Sequence, residues 1–100
     1  MIQHVLLFRF RPDTSAEARD QVLTELRSYP THYPAMQDFV LGPNSSNRDD
    51  RFSYAMTVRF QSRDQLDAYL TSNRHEEFVR ERFRPAVLER AIASVEADAH

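Results

Sequence analysis

The stretch IQHVLLFRF at residues 2–10 constrains the fold of this chain more than any other segment. Its alternation reads as a strand with Ile2, His4, Leu6, Phe8 and Phe10 on one face and Gln3, Val5, Leu7 and Arg9 on the other. Both faces are apolar at the centre. A sheet built around this strand therefore needs cover on both sides, and a second strand, FSYAMTVRF at 52–60, makes the same demand, with Tyr54, Met56, Val58 and Phe60 on one face.

The rest of the chain supplies helices for one side only. Pro12 and Asp13 end the first strand, and Thr14 with Glu17 forms a capping-box pattern that opens a helix to about Arg27. Ala18, Val22 and Leu26 recur along it every four positions, with Leu23 alongside. SYPTHYP (28–34), with two prolines, reads as a loop. AMQDFVLG (35–42) is the second strand, and the polar PNSSNRDDR (43–51) turns the chain into the third. Ser62 and Gln65 begin a helix carrying Leu66, Tyr69 and Leu70. Asn73 and Glu76 repeat the cap pattern, so a fresh helix is expected to about Leu88, kinked or divided at Pro85. RAIASVEA (90–97) closes as a strand, with Ala91, Ala93 and Val95 opposite Ile92 and Ser94.

The resulting order, β-α-β-β-α-α-β, is that of an α+β, ferredoxin-like split βαβ with a four-stranded antiparallel sheet and helices on one face. A second copy of the same sheet is the expected cover for the other face, which predicts a two-fold homodimer. One hundred residues make a single domain, 1–100, and a core of that size gains from pairing.

Composition removes several function classes. All 13 basic residues are arginine, so no lysine serves a Schiff base or a phosphate loop. Gly42 is the only glycine, which excludes G-x-G-x-x-G loops and G-x-S-x-G nucleophile elbows. Without cysteine there is no disulfide, thiolate metal site or thiol nucleophile. A net charge of −2 offers no general attraction to nucleic acid or to an anionic membrane. No apolar run approaches the roughly 20 residues of a membrane span. A strand beginning at residue 2 leaves no room for a targeting segment, so cytoplasmic residence is expected.

Taken in order, HVLLFRF, YPAMQDFVLGPNSS, FSYAMTVRFQSRDQLDAYL and RHEEF resemble the stress-responsive A/B barrel (Dabb) family over residues 2–97. The resemblance implies a dimeric α+β barrel with a cavity between each sheet and its helices. It also implies kinship with plant polyketide cyclases of the olivetolic acid type, which close a linear polyketide by intramolecular aldol chemistry without cofactor or metal. Their working groups are a first-strand histidine, a tyrosine late in the second helical segment and a histidine six residues further on. His4, Tyr69 and His75 occupy those positions. The chain departs from the family in reading SNRH where a proline usually precedes the second histidine.

The chemistry suits these residue types. A histidine of ordinary pKa near about 6.5 can remove a proton beside a carbonyl. In the first turn of its helix, His75 is expected to be held neutral by the helix dipole. Tyr69 can donate its phenol hydrogen to an enolate oxygen. His4 shares a strand face with Leu6 and Phe8 and would orient substrate. The expected cavity wall comprises Leu6, Phe8, Val22, Leu26, Met56, Val58 and Phe78. The expected ligand is a small, largely apolar carbonyl or phenolic compound, with no cofactor and no metal.

Each residue also has a plainer reading. A histidine on an apolar strand face is more often a hydrogen-bonded core residue, and one in a first helical turn is usually solvated. A tyrosine at helical spacing from Leu66 is more often core. His4, His32, His75 and His100 show no ligand spacing, and a metal site would need Glu76 or Glu77 to turn inward. His32 and His100 read as exposed. RHEEFVRERFR mixes charge signs at helical spacing, as a solvated face does.

Three functions compete. The first is a small-molecule binder or cofactor-free cyclase, with cofactor-independent monooxygenation as a close relative. The second is a non-catalytic stress-responsive dimer whose cavity is plugged by Phe8, Phe78 and Phe83. The third is an RNA-recognition motif, which shares the βαββαβ order. Its signature glycines are missing here, the domain is acidic, and an extra helix precedes the last strand.

Overall fold

The computed structural model describes residues 1–97 and contains the expected antiparallel sheet. The strands are β1 (Ile2–Phe10), β2 (Gln37–Pro43), β3 (Tyr54–Phe60) and β4 (Val87–Glu96), in the spatial order β2-β3-β1-β4. Helices α1 (Ala16–His32), α2 (Arg63–Leu70) and α3 (Asn73–Phe78) follow the split βαβ order. A π-helical turn (Val79–Phe83) and a short α4 (Arg84–Ala86) lead into β4. His100 lies outside the described residues.

Strand alternation decides what is buried. Ile2, His4, Leu6, Phe8 and Phe10 are all buried under the helices, as are Met56, Val58 and Phe60 of β3. Opposite α1, which contributes Val22, Leu23, Leu26 and Tyr29, they form one core. The register sets Leu6 beside Met56 and Ile92, and His4 beside Val58 and Ser94. On the other face Val5, Leu7, Ala55, Thr57, Ala91 and Ala93 are only half-buried or exposed. Val40 and Val95 on that face are 62% and 58% exposed, so the chain leaves a largely apolar sheet face uncovered. No aromatic of β3 lies on it, because Tyr54 and Phe60 turn toward the helices. That arrangement lacks the stacking platform an RNA-recognition motif requires.

Several boundaries differ from expectation, each for a local reason. The first helix is capped by Ser15, whose Oγ accepts from the Ala18 amide at 3.1 Å. The Thr14 hydroxyl instead donates to the Ala86 carbonyl at 2.9 Å, tying the start of α1 to the end of α4. Ser72 rather than Asn73 caps α3, accepting from the His75 amide. The segment expected as a loop at 28–34 is helical to His32. Tyr29, wholly buried, continues the Val22–Leu26 stripe, and burying that ring outweighs the backbone bond lost at the exposed Pro30. The His32 side chain is exposed. β3 begins at Tyr54 rather than Phe52, since the Ser53 amide bonds to the Phe8 carbonyl and Asn44 Nδ2 holds the Phe52 carbonyl.

The last helical segment ends at Ala86, earlier than the expected Leu88, so β4 starts at Val87. Its π turn ends two residues before Pro85, where an α-helix would drive the proline ring into the carbonyl four residues back. Asp38 adopts φ 52°, at the irregularity between Gln37 and Val40 in the β2–β3 ladder. Aspartate tolerates that left-handed region better than most residues, and its carboxylate meets Arg59 at 2.9 Å. Among the described residues no helix is long and apolar enough to cross a membrane.

Candidate functional site

The helices pack over β2 and β3 and leave the helix-side face of β4 open, with Ile92 50% exposed. Beside that opening lies a cavity of about 140 Å³. His4 and Leu6 enter it from β1, Leu26 from α1, and Tyr69 and Leu70 from α2. His75, Phe78, Val79 and Phe83 close it from the last helical segment, and Arg90 and Ile92 stand at its β4 edge. Phe78 and Phe83 reach the same cavity because of the π turn. Five residues apart in an α-helix, they would point roughly 140° away from each other; i→i+5 bonding stacks them on one side.

His4, Tyr69 and His75, distant in sequence, therefore share one wall. The His75 ring centroid is 4.5 Å from that of Tyr69, which in turn is 6.2 Å from His4. His4 is 2% exposed and hydrogen-bonds through Nδ1 to Ser94 Oγ at 2.9 Å, a bond set by the β1–β4 register. His75 Nδ1 lies 3.3 Å from the Tyr29 hydroxyl. Tyr33 bonds to Ser72, the α3 cap, at 2.6 Å. Tyr29, Tyr33 and Phe60 pack their rings around Tyr69 at 5.0–5.8 Å. The Tyr69 hydroxyl has no hydrogen-bond partner among the described residues.

Burial sets the protonation of all four groups. It lowers the pKa of His4. It brings His75 down from 6.5 to about 4, with the nearby His4 adding to the effect. It raises Tyr29 and Tyr69, each helped by a neighbouring tyrosine, so both phenols stay protonated at neutral pH. His75 is thus held neutral, though not by the helix dipole expected from its position: desolvation and His4 are the causes, and α3 is only 6 residues long.

Of the expected wall residues, Leu6, Leu26 and Phe78 line the cavity. Phe8, Val22, Met56 and Val58 do not; each is fully buried (0% exposed) in the packed core beneath α1. Phe8 is enclosed by the rings of Phe10, Tyr54 and Phe83. Sequence reading missed Tyr29 and Tyr33 because prolines disguised their helix. The spacing Val22, Leu26, Tyr29, Tyr33 follows one helical stripe and would have revealed them. Ser94 was recognisable only through strand pairing. Glu76 and Glu77 are both exposed and face away from the histidines' cavity.

No curated protein is significantly similar in sequence. Among solved structures, a Dabb protein with a ferredoxin-like fold from Mesorhizobium loti superposes with TM-score 0.83 at 16% identity, over 98% of this chain and 97% of that one. A hydroxynitrile lyase from Passiflora edulis gives 0.85 at 20% identity, over 99% and 94%. A dimeric ferredoxin-like protein of unknown function from Thermobifida fusca gives 0.79 at 20%, over 96% and 90%. Residues 2–97 match the family model of the stress responsive A/B barrel domain, and the chain belongs to that family.

Proposed function

We propose that this protein is a homodimeric A/B barrel that binds a small, largely apolar carbonyl or phenolic compound in the His4–Tyr69–His75 cavity. Cofactor-free cyclisation of the intramolecular aldol type is the chemistry its polar groups fit. One observation carries the reading: an apolar cavity whose only titratable wall groups among the described residues, besides Arg90, are two neutral imidazoles and a protonated phenol. Phe78 and Phe83 form the wall of that cavity rather than filling it, which favours a ligand over a plugged, purely structural interior.

In the reaction, His75 acts from the tautomer that donates Nδ1–H to the Tyr29 oxygen and keeps Nε2 free. Nε2 takes a proton from the carbon next to a carbonyl; the Tyr69 hydroxyl, still protonated and unpartnered, donates to the enolate oxygen. The enolate carbon then attacks a second carbonyl of the same molecule, closing the ring, and the alkoxide so formed takes the proton back from His75 Nε2. With its pKa near 4, His75 is a weak base in the empty site. Its proton affinity rises once negative charge enters beside it. That the fold also houses a lyase in Passiflora edulis is consistent with an enzyme.

Melting temperature in the presence of small aromatic ketones and phenols tests the binding step. A ligand at 100 times its dissociation constant is expected to raise the midpoint by about 10–20 °C. His75→Ala should abolish that shift while keeping its own midpoint close to wild type. A variant that melts far below wild type would make His75 a structural residue instead.

The dimer rests on the uncovered sheet face. Val5, Leu7, Ala91, Ala93 and Val95 form an apolar surface that a second copy buries, and neighbours of the same fold are described as dimeric. Ala93 is exposed in the protomer, so Ala93→Arg leaves the fold intact while placing a charge in the centre of the contact. Light scattering is expected to find the wild type as a dimer and Ala93→Arg as a folded monomer. An unchanged dimer would mean the subunits meet elsewhere.

A further inference from the structure

Arg90 and Ile92 lie on the helix-side face of the edge strand β4, paired with Phe8 and Leu6, and both border the cavity mouth. Ile92 is 50% exposed, and Leu88, at the irregularity of the β1–β4 ladder, is 44% exposed, so the cation stands at an open, partly apolar rim. Its neighbour Glu89 points to the opposite face, where Arg9 engages it at 2.9 Å and Arg51 at 3.9 Å. Arg90 has no carboxylate partner and no side-chain hydrogen bond among the described residues, a state it shares with Arg11, Arg27, Arg48, Arg63 and Arg84, and of these Arg90 alone lines the cavity. Among the described residues it is the one formal charge lining the cavity.

We infer that Arg90 is a specificity-determining residue and that the ligand of this cavity is a small monocyclic carboxylate, its ring inside and its carboxylate on the Arg90 guanidinium. The inference rests on the ligand-binding reading above and narrows it. A cavity of about 140 Å³ has the size of one that accepts a single benzene ring, so the body of the ligand is about one ring. The guanidinium presents a planar fork that matches a carboxylate bidentately, which a neutral carbonyl cannot reproduce. The exposed Ile92 beside it covers the carbons next to the charge. A long, uncharged polyketide tail fits neither the volume nor the rim.

Benzoate, benzamide and phenol are suitable probes, titrated into ¹⁵N-labelled wild type and Arg90→Gln. Benzoate and benzamide share a shape and differ in charge. Wild type is expected to bind benzoate about tenfold or more tightly than benzamide, as a charge-assisted bidentate bond implies. Arg90→Gln should bring the two affinities together and leave phenol binding unchanged, and added salt should weaken benzoate alone. Equal wild-type affinity for benzoate and benzamide, with phenol bound, would overturn the role of Arg90 and leave the cavity reading standing. So would a preference that survives in Arg90→Gln. Failure of all three probes to perturb Leu26, Phe78 and Ile92 would overturn the cavity reading itself, and this inference with it.

Discussion

Replacing Phe8 with alanine is expected to remove about 3–5 kcal/mol of stability, the largest loss from any single substitution considered for this chain. Phe8 has no solvent exposure and sits toward the C-terminal end of β1, 5.3–5.6 Å from the rings of Phe10, Tyr54 and Phe83. Truncation removes apolar contact on three sides. It also leaves a void that β1 cannot close, because β1 is hydrogen-bonded to β3 and β4 along its whole length. Domains of this size have only about 5–15 kcal/mol in total, so the melting temperature should fall by about 15–30 °C. Urea titration checks it: the midpoint should drop with an unchanged slope. A loss below about 1 kcal/mol would show that Phe10, Tyr54 and Phe83 repack into the space.

The second large effect concerns acid. His75 has a pKa near 4 in the folded chain against an ordinary value of 6.5, and His4 is shifted in the same direction. The unfolded chain therefore binds protons at a pH where the folded one does not. By linkage, the stabilisation from keeping these rings neutral is complete above about pH 6.5. It drains away as pH falls toward 4, and below that both states are protonated. Stability should thus decline from pH 6.5 to 4, before most carboxylates titrate. His75→Gln, which keeps a polar partner for Tyr29 but cannot titrate there, should flatten that decline. Comparing unfolding free energies of the two proteins at several pH values isolates the ring from all other groups. Parallel curves would mean that His75 titrates normally in the folded protein.

The sheet was legible in the sequence because alternation over nine residues in IQHVLLFRF has one structural meaning, and the buried set Ile2, His4, Leu6, Phe8, Phe10 follows from it directly. The pairing of His4, Tyr69 and His75 rested on family resemblance; no local pattern brings residues 4 and 75 together. Pro30 was the main source of error. It is a local signal for ending a helix, yet burial of Tyr29 carries α1 through it, whereas at Pro85 the expected division of the helix takes the form of a widened turn. The cavity wall was misjudged for a different reason. Shared strand faces show that Phe8, Met56 and Val58 look toward the helices, but not where the helices stop covering the sheet. That gap lies toward β4, so Arg90 and Ile92 line it, and the centre of the sheet is solid.

The π turn at Val79–Phe83 also bears on how this chain may be compared, residue by residue, with others. One residue fewer between Phe78 and Phe83 would allow an ordinary α-helix, with a more regular set of backbone bonds. It would place the two phenylalanines four positions apart, about 40° from each other, and so keep both in the wall. A one-residue gap placed here in an alignment is therefore a difference in length that leaves the cavity wall in place. Residue-by-residue comparison across this turn holds when the two phenylalanines are matched to each other, not when positions are counted along the helix.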